Sequence, residues 1–269
     1  MNYQTATPSY PLSLFVKQYW AIESCVAGGA EHIQRIVPNG LMELMFYLGA
    51  HPSVIDSSRH LQDTSILSGQ QNGFYDLAIS EPLSMFTISF HPHGASMFFD
   101  IRANELFDQS IPLKLLVKDA VAELECRLYE ACTFEGRVGI AERFLLNQLR
   151  KSSKEYEVNR MAHCLALVNR QRGMVAIDEL ASEACLSRKQ LERSFLSYIG
   201  ASPKQFLRAV RFQSTLFEKQ QHADLSLTEL AYRCGYYDQS HMISDYKKLS
   251  GKTPSQYFSE CEPYSDYFL

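Results

Sequence analysis

The 269-residue sequence predicts an α+β chain: a β-rich N-terminal domain followed by an all-helical domain of two tandem helix-turn-helix modules. Three observations predict it. Up to about residue 118, short apolar or alternating runs are bounded by turn residues; from Asp119 the apolar period becomes helical; and between Val175 and Phe258 one motif set occurs twice.

In the N-terminal part, Leu41 to Leu48 and Leu83 to Phe90 read as strands, the second with Phe86, Ile88 and Phe90 on one face. Clusters such as Pro38-Asn-Gly40 and Gln71-Asn-Gly73 mark the turns. Helices are expected from Asp119 to Cys132 and from Gly136 to Arg150, with Leu124, Leu128, Ile140, Phe144 and Leu145 on their apolar faces. The charged, small-residue stretch Lys151 to Glu155 reads as a linker, which divides the chain into residues 1–155 and 156–269.

Beyond it, Ile177-Asp-Glu-Leu180-Ala181 recurs fifty residues later as Leu227-Thr-Glu-Leu230-Ala231, and Phe195…Gly200-Ala-Ser-Pro203 recurs fifty-one later as Tyr246…Gly251-Lys-Thr-Pro254. The extra residue must fall at a turn. In the first copy Ile177, Leu180, Ala181 and Ala184 form a buried stripe, and Ser187-Arg-Lys-Gln190 is a capping box that opens a second helix. Leu191, Phe195 and Ile199 face inward there, Lys189 and Arg193 outward, with Gln190 and Ser197 at the edge. The second copy repeats this with Ser226 to Glu229 as capping box, Asp238 as N-cap, Met242, Tyr246 and Leu249 inward, and Ser240, Ser244, Lys247 and Lys248 outward. Ser202-Pro203-Lys-Gln205 and Thr253-Pro254-Ser-Gln256 then start a further helix after each copy. A helix from Pro203 to about Lys219 would span about 24 Å and hold two recognition helices near the roughly 34 Å spacing of successive major grooves.

These residues resemble the DNA-binding domain of the AraC/XylS-type transcription regulators over about residues 159 to 260. The likeness is densest in Leu230-Ala231-Tyr-Arg-Cys-Gly235-Tyr236-Tyr-Asp238-Gln-Ser240-His-Met242 and Tyr246-Lys247-Lys-Leu-Ser-Gly251-Lys-Thr-Pro254. The resemblance implies sequence-specific, promoter-proximal binding of double-stranded DNA by both second helices, with RNA polymerase as a further partner of an activator. Carried over by position, the base-facing residues are Lys189, Glu192 and Arg193, then Gln239, Ser240, Ile243 and Ser244, with Arg188, Gln190 and Lys247 beside them. Where the family often has arginine two places before the aromatic of the second recognition helix, this chain has Ser244, which reads bases more weakly.

Charge is distributed to match. Residues 1–158 carry 12 basic and 18 acidic residues, net −6, whereas 159–269 carry 14 and 12, net +2. From Ser187 to Lys219 seven basic residues face Glu192 and Glu218, or +5. Such a footprint supports shallow salt dependence and calls for dimerisation or cooperative binding to supply affinity. The helices of 119–150 are the expected homodimer face.

Pro38-Asn-Gly-Leu-Met-Glu43-Leu-Met-Phe46 and Phe90-His-Pro-His-Gly94-Ala95 resemble the N-terminal domains of one branch of the same regulators. That likeness implies a small β-barrel or cupin-like sandwich with helices, used for dimer formation or for a small organic effector. Arg35, Glu43, Tyr47, His91 and His93 are the polar groups placed to contact an effector inside it.

A rival reading makes the domain a cupin-type metalloenzyme fused to a DNA-binding module, because His91 and His93 lie on one face of a strand. The acid that metal motif needs three or four residues further on is replaced by Ser96 and Met97, so Glu43, His51 or His60 would have to complete the set. No metal and no cofactor are expected. No G-x-S-x-G, Walker loop, G-x-G-x-x-G or H-E-x-x-H occurs, and a non-enzyme is the primary reading. A third class is a helical adaptor that binds protein. Seven cysteines at 25, 126, 132, 164, 185, 234 and 261 contain no C-x-x-C and read as reduced thiols, with Cys164, Cys185 and Cys234 at packing positions. With neither a basic, apolar leader nor a long apolar run, the chain is expected to be soluble, cytoplasmic and off the membrane.

Overall fold

The computed structural model describes residues 2–24, 31–55, 63–117 and 121–260. Among the described residues nine strands form two antiparallel sheets: β1 (Asn2–Ala6), β2 (Val16–Ser24), β3 (His32–Ile36), β4 (Met42–Tyr47), β5 (Ser53–Ile55), β6 (Ser65–Ser68), β7 (Tyr75–Ile79), β8 (Leu83–Phe90) and β9 (Ser110–Pro112). The large sheet runs β1-β2-β8-β4-β6-β9 and the small one β3-β7-β5. Among the described residues β1 and β9 stay at the edges, so the described strands form an open sandwich and not the closed barrel offered as one alternative by the sequence.

Strand alternation decides what each face meets. Met42, Leu44 and Phe46 of β4 and Phe86, Ile88 and Phe90 of β8 point into one core with Leu124, Leu128, Phe134 and Leu145 of the helices. Met45, Tyr47 and Leu83 point the other way, onto Val54, Leu77 and Ile79 of the small sheet. In β2 the register with β8 slips between Val16 and Gln18, so Lys17 is the extra residue of a bulge and leaves the alternation.

Helices α1 (Val121–Glu130) and α2 (Phe134–Leu149) cover the large sheet. The expected start of α1 lies partly outside the described residues. Helix α2 begins two residues before the expected point, because the Thr133 hydroxyl accepts from the Gly136 N–H at 3.1 Å. Among the described residues no helix is long and apolar enough to cross a membrane.

The helical part comprises α3 (Glu155–Arg170), α4 (Ile177–Glu183), α5 (Arg188–Tyr198), α6 (Pro203–Gln221), α7 (Leu227–Arg233), α8 (Gln239–Ser250) and α9 (Pro254–Glu260). The expected linker is short and engaged: Lys151 and Ser152 bond back onto α2, and α3 starts at Glu155. Val158 packs into the N-terminal core while Met161, one turn on, belongs to the first module. Helix α6, at 19 residues or about 28 Å, serves two cores. Phe206 and Leu207 join Leu180, Leu191 and Phe195; Phe212 and Leu216 join Leu230, Met242 and Tyr246. Val37 of the N-terminal domain is also part of the second core.

The packing of thiols is partly corrected. Cys164 and Cys234 are buried, but Cys126, Cys132 and Cys185 are exposed, and Cys25 and Cys261 lie outside the described residues. Cys185 follows the end of α4 with φ 53°, in the turn before α5, which swings its side chain away from the core.

Phe212 is fully buried, with its ring 4.9 Å from Tyr246 and 6.0 Å from Tyr257. Phe212→Ala should cost about 3–5 kcal/mol by leaving a cavity, read as a lowered urea midpoint in the second module. An unchanged midpoint would mean that α6 does not anchor that core.

Candidate nucleic-acid interface

Both candidate recognition helices are opened by side-chain caps. Ser187 and Gln190 exchange bonds at the start of α5, with Ser187 N donating to Gln190 Oε1 at 2.9 Å and Gln190 N to Ser187 Oγ at 3.3 Å. Asp238 accepts from His241 N at 2.7 Å at the start of α8. Such caps contribute about 1 kcal/mol each and set where each helix begins. Leu186 and Tyr236 bond back to Ala181 and Ala231 fifty residues apart, but the caps Ser187 and Asp238 are fifty-one apart. The extra residue of the second module is therefore Tyr237, whose side chain is 85% exposed.

On α5, Arg188, Lys189, Gln190, Glu192 and Arg193 are all exposed. They are not equally available. Arg188 holds Asp178 of α4 through two charge-assisted bonds, which pull the Asp178 carboxyl below and push the guanidinium above their ordinary ranges. The Gln190 carbonyl oxygen is taken by its own cap. On α8, Ser240, Ser244 and Lys247 are exposed and Ile243 half-buried; Gln239, also half-buried, accepts from Thr228 Oγ1 of α7 at 3.0 Å. Exposed His241 lies in the first turn of α8, edge-on to Tyr236 at 5.2 Å, and is a polar group beside the sequence-assigned readers of that helix.

The +5 footprint is smaller in three dimensions. Arg208 of α6 binds buried Asp245 of α8 at 3.1 Å, Arg211 donates to the Gly173 carbonyl at 3.1 Å, and Lys219 donates to the carbonyls of Ala223 and Leu225. With Arg188 on Asp178, four of the seven cations are internal ties, and Lys189, Arg193 and Lys204 are left exposed.

The five effector candidates do not converge. Arg35 forms a fork onto Asp76, both bonds 2.8 Å, and lies against the helical domain. Glu43 accepts from Ser89 Oγ at 2.7 Å; burial pushes its carboxyl up, while the Ser89 and Trp20 donors and the nearby Lys17 charge pull it back. The Tyr47 ring meets His51 at 4.7 Å, tilted by 39°, on the face toward the small sheet, and His91 and His93 stack on each other at 5.9 Å. The interior expected to hold a ligand is occupied by the protein's own rings, among them Tyr19, Phe46, Phe86 and Phe90. Among the described residues no three His, Cys, Asp or Glu side chains gather as a metal set, and His60 lies outside those residues.

An open cleft of about 320 Å³ lies instead between the domains. Lys17, Leu41 and His91 line one wall, and Arg172, Phe206 and Phe217 the other.

Residues 180–260 match the family model described as a helix-turn-helix domain, and residues 4–112 match one described as a domain of unknown function (DUF6597). The C-terminal part of this chain is a helix-turn-helix domain; it is of the AraC/XylS type. An HTH-type transcriptional regulator of Haemophilus influenzae is 33% identical over 93 residues, 35% of this chain and 31% of that protein. The transcriptional activator RhaR of Salmonella dublin is 26% identical over 115 residues, 43% of this chain and 40% of that protein. The chain thus spans less than half the length of these curated relatives. Among solved structures, ToxT of Vibrio cholerae is similar at 11% identity over 96% of this chain and 98% of that one, with a TM-score of 0.48. The DNA-binding domain of AdpA, solved with a target DNA, is similar at 25% identity over 37% of this chain and 90% of that one, with a TM-score of 0.35.

His93 carries a pH dependence. Burial, and then the neighbouring His91, hold its imidazole down at about 4, and its Nε2 lies 3.2 Å from the Leu14 carbonyl. The unfolded chain takes up this proton first, near 6.5, so the stability contributed by the neutral ring is full above that pH and is lost as pH falls toward 4. The loss should be roughly 2–3 kcal/mol. In His93→Gln, urea unfolding between pH 7 and 4.5 should show a flatter pH profile than the parent; equal slopes would remove His93 as the cause.

Proposed function

We propose that the chain is a sequence-specific transcription regulator that binds double-stranded DNA with α5 and α8 in successive major grooves. The observation that carries this reading is the duplicated, side-chain-capped helix pair with an exposed Lys189 and Arg193 on the first recognition helix. Each helix would enter N-terminus first, where its unpaired N–H groups and positive dipole end favour phosphate. Arg193 is the base reader of the first module, and Ser240 and Ser244, with Gln239 once freed from Thr228, the weaker readers of the second. Arg188 is assigned to hold α4 against α5.

Against a duplex enriched from a random library by the full chain, Arg193→Ala should weaken binding by about 1–3 kcal/mol, Lys189→Ala less and evenly across sequences, with thermal melts like the parent's. Unchanged affinity in Arg193→Ala would overturn the assignment of the first module. With Lys189, Arg193, Lys204, Lys247 and Lys248 as the phosphate or base cations, the log–log salt slope should stay below about 5 in magnitude per chain.

The β-rich domain, divided from the reader near residue 155, is assigned to regulation. Its helices α1 and α2 are the proposed homodimer face, where Tyr129 is 71% exposed. Sedimentation of the full chain as a monomer at tens of micromolar would rule this face out.

Any effector belongs in the interdomain cleft and not inside the sandwich. Its lining has Lys17, Arg172, whose guanidinium already binds Glu218, and the apolar Leu41, Phe206, Val210 and Phe217, which suits a small molecule with an apolar body whose anionic group meets Lys17. A ligand from a panel of small carboxylates at 100 times its Kd should add about 2.7 kcal/mol to the full chain and lose that gain in Phe217→Asp. Equal gains in both chains would move the site elsewhere.

A further inference from the structure

The two modules are gripped by the N-terminal domain at the same point of the repeat. Gly200 and Gly251, fifty-one residues apart, follow the last turns of α5 and α8 with φ of 92° and 73°, a region open to glycine and strained for other residues. Each is used as a socket. A Cβ on Gly200 would come 2.8 Å from the Ala103 carbonyl oxygen, and one on Gly251 would come 2.5 Å from the Phe74 ring.

The carbonyls beside these glycines are taken by the same domain. Tyr198 O accepts from Ser96 Oγ at 3.1 Å, and Ser250 O accepts from Arg35 Nη1 at 3.0 Å. Carbonyls in the last turn of a helix have no partner within it and carry the negative end of its dipole, so a cation is well placed there. Arg35 is held for this purpose by the Asp76 fork and by the Phe74 ring 4.3 Å beneath its guanidinium. Between the two grips, Gln213 of α6 donates to the Pro38 carbonyl at 2.7 Å, and Val37 enters the core of the second module.

Helix α6 is the element the two module cores share, so bending at its middle would change the angle between the recognition helices. We propose that the N-terminal domain acts as a two-point clamp that fixes the relative placement of α5 and α8, and so the spacing of the two DNA half-elements the chain accepts. The first grip is close backbone packing. The second is made by Arg35 of β3 and by Phe74, just before β7, beside the Val37 and Gln213–Pro38 contacts, and is the one that truncating side chains can loosen. This rests on α5 and α8 being the DNA readers proposed above.

The test uses the full chain and its Arg35→Ala, Phe74→Ala double variant with the duplex enriched by the parent. One base pair is inserted or deleted between the half-elements, a rotation of about 35°. The parent should lose about tenfold or more in affinity, and the double variant about threefold or less, with affinity for the unaltered duplex retained; equal penalties in both chains would overturn the clamp. Amide hydrogen exchange without DNA gives a second readout that does not depend on the DNA reading. In the double variant residues 246–253 should exchange faster while 195–201 keep their protection. Parental protection across 246–253 overturns the clamp, whereas faster exchange there with no DNA binding by the parent sinks only the proposed function.

Discussion

Helix α6 can join two modules only because its two halves are buried in different cores. Phe206 and Leu207 close the first, Phe212 and Leu216 the second, and among the described residues no other helix is shared in this way. Its polar residues serve the same constraint. Buried Glu218 receives Arg172 from the turn after α3, together with Arg233 of α7 at 3.3 Å, so one carboxylate ties both modules to the helix between them. Arg208 does the same for α8 through Asp245, another carboxylate sunk into the packing. Breaking either pair would leave a charge buried without its partner, which is costlier than the pair is stabilising.

This explains the difference between the charge the chain carries and the charge it presents. Arginine and lysine side chains are long enough to reach from one element to carbonyls or carboxylates on its neighbours. Arg188, Arg208, Arg211 and Lys219 are used so, and the exposed cations on α5 and the first turn of α6 reduce to Lys189, Arg193 and Lys204. A count along the sequence cannot separate the two uses, because the partners lie on other elements.

The N-terminal domain follows a different logic. Its strands alternate between a core shared with α1 and α2 and a thinner layer shared with the small sheet, so neither face of β4 or β8 is left to line a cavity. The bulge in β2 turns Lys17 out of this alternation and into the cleft against α6, where His91 also arrives from the turn after β8. This open cleft is thus found where the two domains meet.

What the sequence determined by itself was local: the strands around Leu44 and Ile88, the capping boxes at Ser187, Ser202 and Ser226, the N-cap at Asp238, the shared helix from Pro203 and the repeat that makes two modules of one pattern. These depend on periodicity and on contacts three or four residues apart, which are written in order along the chain. Tertiary structure alone decided the rest: that the sandwich is open, that Arg35 reaches 215 residues ahead to the end of α8 and not into a ligand pocket, that Cys185 faces solvent, and that Gly200 and Gly251 are sockets as well as helix stops. Each of those depends on which distant surface packs against which, and one-dimensional spacing carries no record of that choice.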